Sequence, residues 1–267
     1  MRIRDLAAAA AVLLAAHATP AAAQRTGDRS RLVFTVSGGY VQGRGLWTVP
    51  NQPVPQSVDD TTSIIDNYAI NRSIKGTIAA GFSGTYYAGE HVGLTADAFL
   101  LGLGFDDSCR LTPPVESARN QQICDDIDQQ EKSAAAVTLS GGAVFRFLSR
   151  EPVSPFARVS AGLLFSNQSS VLTQGVRDDG VLLTIYEDSR RTRVTPSLAL
   201  GVGATMPIGR AYHLRWEVRD NIVGIEAVTG PTSAPRFEPP HERRYKHLFS
   251  ILIGIDVILE RSRGRRY

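Results

Sequence analysis

Between Tyr245 and Glu260 the chain reads Y-K-H-L-F-S-I-L-I-G-I-D-V-I-L-E, and its odd and even positions differ in kind. His247, Phe249, Ile251, Ile253, Ile255, Val257 and Leu259 form an almost wholly apolar set. Lys246, Leu248, Ser250, Leu252, Gly254, Asp256, Ile258 and Glu260 mix small, polar, charged and aliphatic residues. Successive side chains of a β-strand point to opposite faces, so this stretch is a two-faced strand. A soluble sheet buries its apolar face and wets the other. Here the mixed face is narrow and holds a carboxylate, a glycine and a serine in mid-strand, which suits a partly polar interior. The apolar face then suits lipid, the alternation of a transmembrane β-barrel strand.

The same alternation recurs upstream, near Arg31–Tyr40, Ser73–Tyr87, from His91, near Lys132–Leu148, from Pro155, near Val194–Ile208 and from Leu214. That makes eight strands. Their connections run long, short, long, short, long, short, long. Outer-membrane barrels place short turns on the periplasmic side and long loops outside. A soluble sandwich has no reason to keep such parity. The expected fold is therefore all-β, an eight-stranded antiparallel up-and-down transmembrane β-barrel. The first long connection, Thr48 to about Asn71, is polar and Pro-rich and reads as too irregular for a strand. Asp106–Glu131 reads as an acidic, irregular loop, and Arg177-Asp178-Asp179-Gly180 as the tip of the third connection, since Asp-Gly favours hairpin turns.

Met1–Ala23 reads as a signal peptide: Arg2 and Arg4, an apolar Leu6–Ala16 run, Pro20, and Ala21-Ala22-Ala23 as a cleavage site. Residues 24–260 are then the barrel and 261–267 a basic tail that meets anionic headgroups or stays solvated. No later run approaches the roughly 20 apolar residues of a spanning helix. A net charge of +3 makes no case for nucleic acid. The two cysteines, Cys109 and Cys124, read as one disulfide in an exported chain.

The Leu214-Arg215-Trp216-Glu217-Val218-Arg219-Asp220 run resembles the penultimate strand of the small outer-membrane β-barrel family, the group that includes the transmembrane domain of outer-membrane protein A. The resemblance implies a Gram-negative-type outer membrane, with outer-membrane lipid, lipopolysaccharide and the barrel-assembly machinery as partners. The chain departs from the family at its end. Members finish on an aromatic residue that closes the last strand, whereas Arg261 to Arg266 separate Tyr267 from it here.

Lys75, Asp97, Arg146, Arg158, Arg215, Glu217, Arg219 and Asp256 fall on the small-residue face of separate strands and are expected to form a charge network in the lumen. Eight strands leave room only for side chains, and buried charges must pair. No cofactor motif is present. A catalytic reading needs a nucleophile beside a base, but His247 and Ser250 lie on opposite faces of one strand. The acids around the cysteines lack the spacing of a calcium loop. The expected function is non-enzymatic: a structural or surface-interaction barrel whose long loops meet an extracellular ligand. The alternatives are a narrow conduit for small or apolar molecules and a soluble lipocalin-like carrier, which would reverse the two faces.

Overall fold

A computed structural model describes residues 29–55, 65–113, 118–129, 131–149, 151–166, 172–176, 180, 182–187, 194–209, 211–232 and 238–262. The signal-peptide reading, the tip residues Arg177 to Asp179 and the tail from residue 263 lie outside them. The elements are β1 (Arg29–Val41), β2 (Arg44–Pro55), β3 (Ile65–Lys75), β4 (Thr77–Tyr87), β5 (Val92–Thr112), α1 (Ala118–Gln129), β6 (Glu131–Arg146) and β7 (Ser154–Ser166). They continue with β8 (Leu172–Val176), β9 (Leu182–Glu187), β10 (Val194–Pro207), β11 (Tyr212–Val228) and β12 (His241–Ser262). The last strand thus runs two residues past the boundary expected at Glu260.

Pairing makes a circuit. β1 pairs with β4, β4 with β5, β5 with β6 and β6 with β7. β7 then pairs with β10, β10 with β11, β11 with β12, and β12 returns to β1. Every pairing is antiparallel, so among the described residues the wall is a closed barrel of eight strands without edges. The wall must bend tightly to close at that size. Where β6 meets β7, a Cβ on Gly142 would strike the Val159 carbonyl, and one on Gly162 the Leu139 carbonyl. Glycine is what allows the backbones to approach there.

Outside, alternate residues present an apolar belt. On β12, Phe249, Ile251, Ile253, Ile255 and Leu259 are exposed, while Leu248, Ser250, Leu252, Gly254, Asp256 and Ile258 are buried. From Phe249 to Leu259 is about 33 Å along a strand at about 3.3 Å per residue, or about 25 Å of height at a tilt of about 40°. That matches the apolar band of a transmembrane barrel. A lipocalin-like carrier needs the opposite assignment of faces.

The first two wall strands are each interrupted on the long-loop side. β1 gives way to β2 around Gln42–Gly43, and β3 to β4 at Gly76. The stretch from Thr48 to Asn71, expected to be irregular, therefore holds most of β2 and part of β3. Its prolines are tolerated because β2 pairs only with β3, and a free edge needs no N–H. Two register shifts, between Gly45 and Trp47 and between Val49 and Gln52, absorb the remaining irregularity. The acidic connection also holds regular structure among its described residues: β5 continues to Thr112, and α1 buries Ile123, Cys124 and Ile127. β8 and β9 form a separate hairpin, with Gly180 at φ 78°, a left-handed conformation that favours glycine.

The four long connections pack into one head. Trp47, Tyr68, Ile70, Leu111, Ile123, Ile127, Tyr186 and Val228 share an apolar core. Cys109 and Cys124 are disulfide-bonded and pin α1 to β5. Closing such a loop is worth about 3 kcal/mol in the chain-entropy model. A Cys109→Ser/Cys124→Ser variant should therefore loosen the head and leave the barrel folded. Heat-modifiability on a gel should be unchanged while proteolysis near α1 accelerates.

Candidate functional site

The lumen is built in layers. At the short-turn end Val33, Tyr87, Val144 and Phe156 make a small apolar floor. Above it lies the ionic layer. Glu217 is its hub: Oε2 accepts from Arg215 Nη2 at 2.8 Å, Oε1 accepts from Arg219 Nε at 2.8 Å, and Arg158 Nη1 stands 3.6 Å from Oε2. Arg158 also pairs with Asp97. Arg215 reaches toward Asp256 at 3.9 Å, and Thr35 Oγ1 donates to Asp256 at 2.7 Å. All six charged side chains are buried. Arg158, Arg215 and Arg219 thus face Asp97, Glu217 and Asp256, a neutral set.

Small residues make this possible. A Cβ at Gly201 would meet the Glu217 carboxylate and the Arg158 stem, so the glycine leaves room for the long side chains. Aromatic faces complete the shell. The Arg215 guanidinium lies 3.9 Å from the Phe156 ring centroid and that of Arg219 4.7 Å from Phe99. The space between Thr35, Ser37, Asp97, Arg158, Arg215 and Glu217 is about 10 Å³. That is about the room of one water molecule. Above the ionic layer the lumen is filled by Val41, Phe99, Leu101, Ala136, Leu164 and Leu252, which join the core of the head.

Two of the residues expected in the charge network stand outside the ionic layer, Arg146 below it on the floor and Lys75 outside the lumen. Arg146 is half-buried near the short-turn rim, with its guanidinium 3.5 Å from the Tyr87 ring centroid and Nη2 donating to the Glu90 carbonyl at 3.3 Å. Lys75 is exposed at the end of β3 nearest the wall, where β3 gives way to β4. The reason is a change of parity at Gly76. In β4 the odd residues Ala79, Ser83 and Thr85 are buried, whereas in β3 the even residues Tyr68, Ile70, Arg72 and Ile74 are. Carrying one alternation across the break put Lys75 on the wrong face. Thr35 was not singled out from sequence. Its signal is register, since it lies directly opposite Asp256.

The head contains a circle of polar ties. Tyr68 in the first connection donates to the Asn120 carbonyl in the second at 2.8 Å, and Asn120 donates to Asp66 at 2.9 Å. Asp126 in the second accepts the backbone N–H of Val176 in the third at 2.7 Å. Thr232 in the fourth donates to the Ile185 carbonyl in the third at 3.3 Å. Gln52 in the first exchanges two bonds with the Thr232 backbone, at 2.8 and 2.9 Å. A bidentate Arg72–Asp107 pair, 2.5 and 2.6 Å, is buried below, with Arg72 over the Trp47 ring. Burial and then the Asp66 carboxylate push the Tyr68 phenol above its ordinary range, so it stays a donor. Asp128, pushed up by burial, accepts from the Cys109 N–H. Asp107, Asp125, Asp126 and Asp128 of this connection serve as acceptors, and no metal-type cluster occurs among the described residues.

His247 and Ser250 point to opposite faces. His247 is exposed with Nδ1 2.7 Å from Asp220 Oδ2, whereas Ser250 is buried and donates to the Arg219 carbonyl at 3.2 Å.

No family model and no curated protein matches the sequence. Solved structures resemble it in fold at low identity. Neisserial surface protein A shares 9% identity at a TM-score of 0.42, covering 85% of this chain and 97% of that one. The outer membrane protein OprG from Pseudomonas aeruginosa shares 9% at 0.49, covering 90% and 99%. The attachment invasion locus protein Ail of Yersinia pestis shares 12% at 0.34, covering 85% and 98%. A wall that closes without edges, meets hydrocarbon on its outer face and turns tightly at one rim is a membrane barrel, and this chain has the fold of the small outer-membrane β-barrels.

Proposed function

We propose that the protein is a non-conducting outer-membrane barrel whose work is done by its rigid head, in a structural or surface-interaction role. The carrying observation is the circle of ties through all four long connections. A head already ordered before it meets a partner loses less entropy on binding than four separate loops would. The packed lumen supports the same reading. An ionic layer with about 10 Å³ of free space leaves no continuous path for a solute.

Two measurements test this. In planar bilayers the purified protein should show no steady conductance, and liposomes holding it should exclude small sugars. A steady, large conductance would overturn the plugged lumen and favour the conduit. On cells, replacing residues 44–75 and 104–132 by short turns should leave a folded barrel but abolish surface contacts that the intact protein supports. If trimmed and intact barrels behave alike in adhesion and envelope-integrity assays, the head is not the working part.

A further inference from the structure

β1 and β12 pair up to Val41 opposite Ser250, and the Gln42 N–H then donates to the Phe249 carbonyl at 2.8 Å. Beyond that bond, among the described residues, β2 pairs only with β3, and β12 from His241 to Leu248 pairs only with β11. In an antiparallel ladder the backbone groups of successive residues turn to opposite edges of the strand. Phe249 serves the β1 side, whereas the Ile258 N–H donates to the Ala211 carbonyl on the β11 side at 2.8 Å. Odd residues of β12 thus turn their N–H and C=O groups away from β11. Past the end of β1 those of Arg243, Tyr245 and His247 meet no described strand. The open edge from His241 to Leu248 is about 26 Å long at about 3.3 Å per residue.

Natural sheets blunt such edges with prolines and charges. β2 carries Pro50, Pro53 and Pro55. The open stretch of β12, His241–Leu248, has no proline and carries cations instead. Alternation sorts them. Arg244 and Lys246 share the inward parity with Glu242, and Arg243, Tyr245 and His247 the outward one. On the first face the Lys246 ammonium donates to the Gly45 carbonyl of β2 at 3.2 Å. Burial, then the Arg244 and Arg44 charges, hold that ammonium below its ordinary range. Glu242 stands 3.7 Å from Arg244, but both side chains are more than half exposed, and such a surface pair contributes little. On the second face the charges are already met: Glu226 is 3.4 Å from Arg243, and Asp220 is 2.7 Å from His247. Tyr245 stands between them, 58% exposed. The edge is therefore basic on one face and aromatic on the other.

We propose that this edge binds an extended, acidic segment of a partner protein, added as a strand antiparallel to β12. The proposal names the chemistry of the partner in the surface-interaction role and rests on that reading. Antiparallel pairing continues the wall, where every neighbour is antiparallel. Facing residues of an antiparallel pair share a face. Alternate residues of the partner therefore stand opposite Tyr245 and His247, exchange the backbone bonds and are apolar. The residues between them face Arg244, Lys246 and Arg44 and are acidic. Main-chain bonds supply the affinity and alternate side chains the choice of sequence. A second copy of this chain fits badly, because its own edge brings the same cations. A free anion meets the cations and leaves the backbone donors unmet.

The probe is an eight-residue peptide of alternating valine and glutamate, blocked at both ends and titrated into the full-length protein in nonionic detergent. It should bind at least about tenfold more tightly than its valine–lysine counterpart, and than the same peptide N-methylated at every valine. N-methylation at the glutamates should cost far less, since their N–H groups lie on the other edge of the peptide. Binding should slow hydrogen exchange at the Arg243, Tyr245 and His247 amides about tenfold or more and leave Leu248 unchanged. Tyr245→Pro should abolish binding, because proline removes an N–H that β11 does not use. Arg44→Gln/Arg244→Gln should erase the preference for glutamate over lysine, while Arg110→Gln on β5 should keep it. Heat-modifiability shows that each variant is folded, and the methylated peptides need no variant at all. Absence of binding, equal binding of the plain and valine-methylated peptides, or unprotected edge amides would each overturn the proposal. These outcomes are read on purified protein. If the peptide fails to bind while trimming the head still abolishes contacts on cells, the surface role stands and the edge is not its site.

Discussion

Glu217→Gln lowers the stability of the folded barrel by about 3–5 kcal/mol, the cost of leaving buried charge without its partner. Glutamine keeps the size of the side chain and removes its charge. Three guanidiniums, those of Arg158, Arg215 and Arg219, then face only Asp97 and Asp256. The layer lies at the height of the apolar belt, and its free space of about 10 Å³ is too small to hydrate the excess charge. Arg219→Gln should cost less. Arg219 meets one carboxylate of the layer, Glu217, and that acid keeps Arg215 and Arg158 as partners. Urea unfolding in detergent micelles, followed by heat-modifiability, ranks the two variants. An unchanged midpoint for Glu217→Gln would remove Glu217 from its place as hub, and the inward assignment of β11 with it.

Ile253→Arg should block insertion, and Leu259→Arg should not. Both side chains are exposed at 64% and lie on the same face of the same strand. They differ in depth. Ile253 sits in the belt between Ile251 and Ile255, while Leu259 is near the rim where the short turns lie. An arginine on the lipid face costs about 2–4 kcal/mol at the midplane and about 0–1 near the interface. Folding yield into liposomes measures the difference. Equal yields for the two variants would mean that this face does not meet hydrocarbon.

The alternation of β12 carried the fold because a closed barrel imposes one parity along each unbroken wall strand. Phe249, Ile251 and Ile253 could be assigned to lipid from sequence, and Asp256 to the lumen, by counting in twos. Counting failed where the strand broke. Gly76 shifts the phase, and the side of Lys75 depended on a break that no local pattern announced. The head was illegible for a different reason. Pro53 and Pro55 argue against an inner strand, yet β2 is an edge strand. Arg72 and Asp107 look like ordinary loop charges until the register of β3 and β5 sets them opposite one another. The neutrality of the lumen was hidden too. With Arg146 and Lys75 counted in, bases outnumber acids; the balance emerges once depth separates Arg146 from the rest and parity removes Lys75.

The circle of ties in the head has a consequence for anything that recognises it. The outward surface is assembled from four segments far apart in sequence, each held in shape by its neighbours. A peptide excised from any one of them carries only a fragment of that surface and none of the ties to the other three segments. Antibodies raised against the folded protein should therefore see discontinuous epitopes. A substitution in one segment, at Thr232 for instance, can alter an epitope contributed by another.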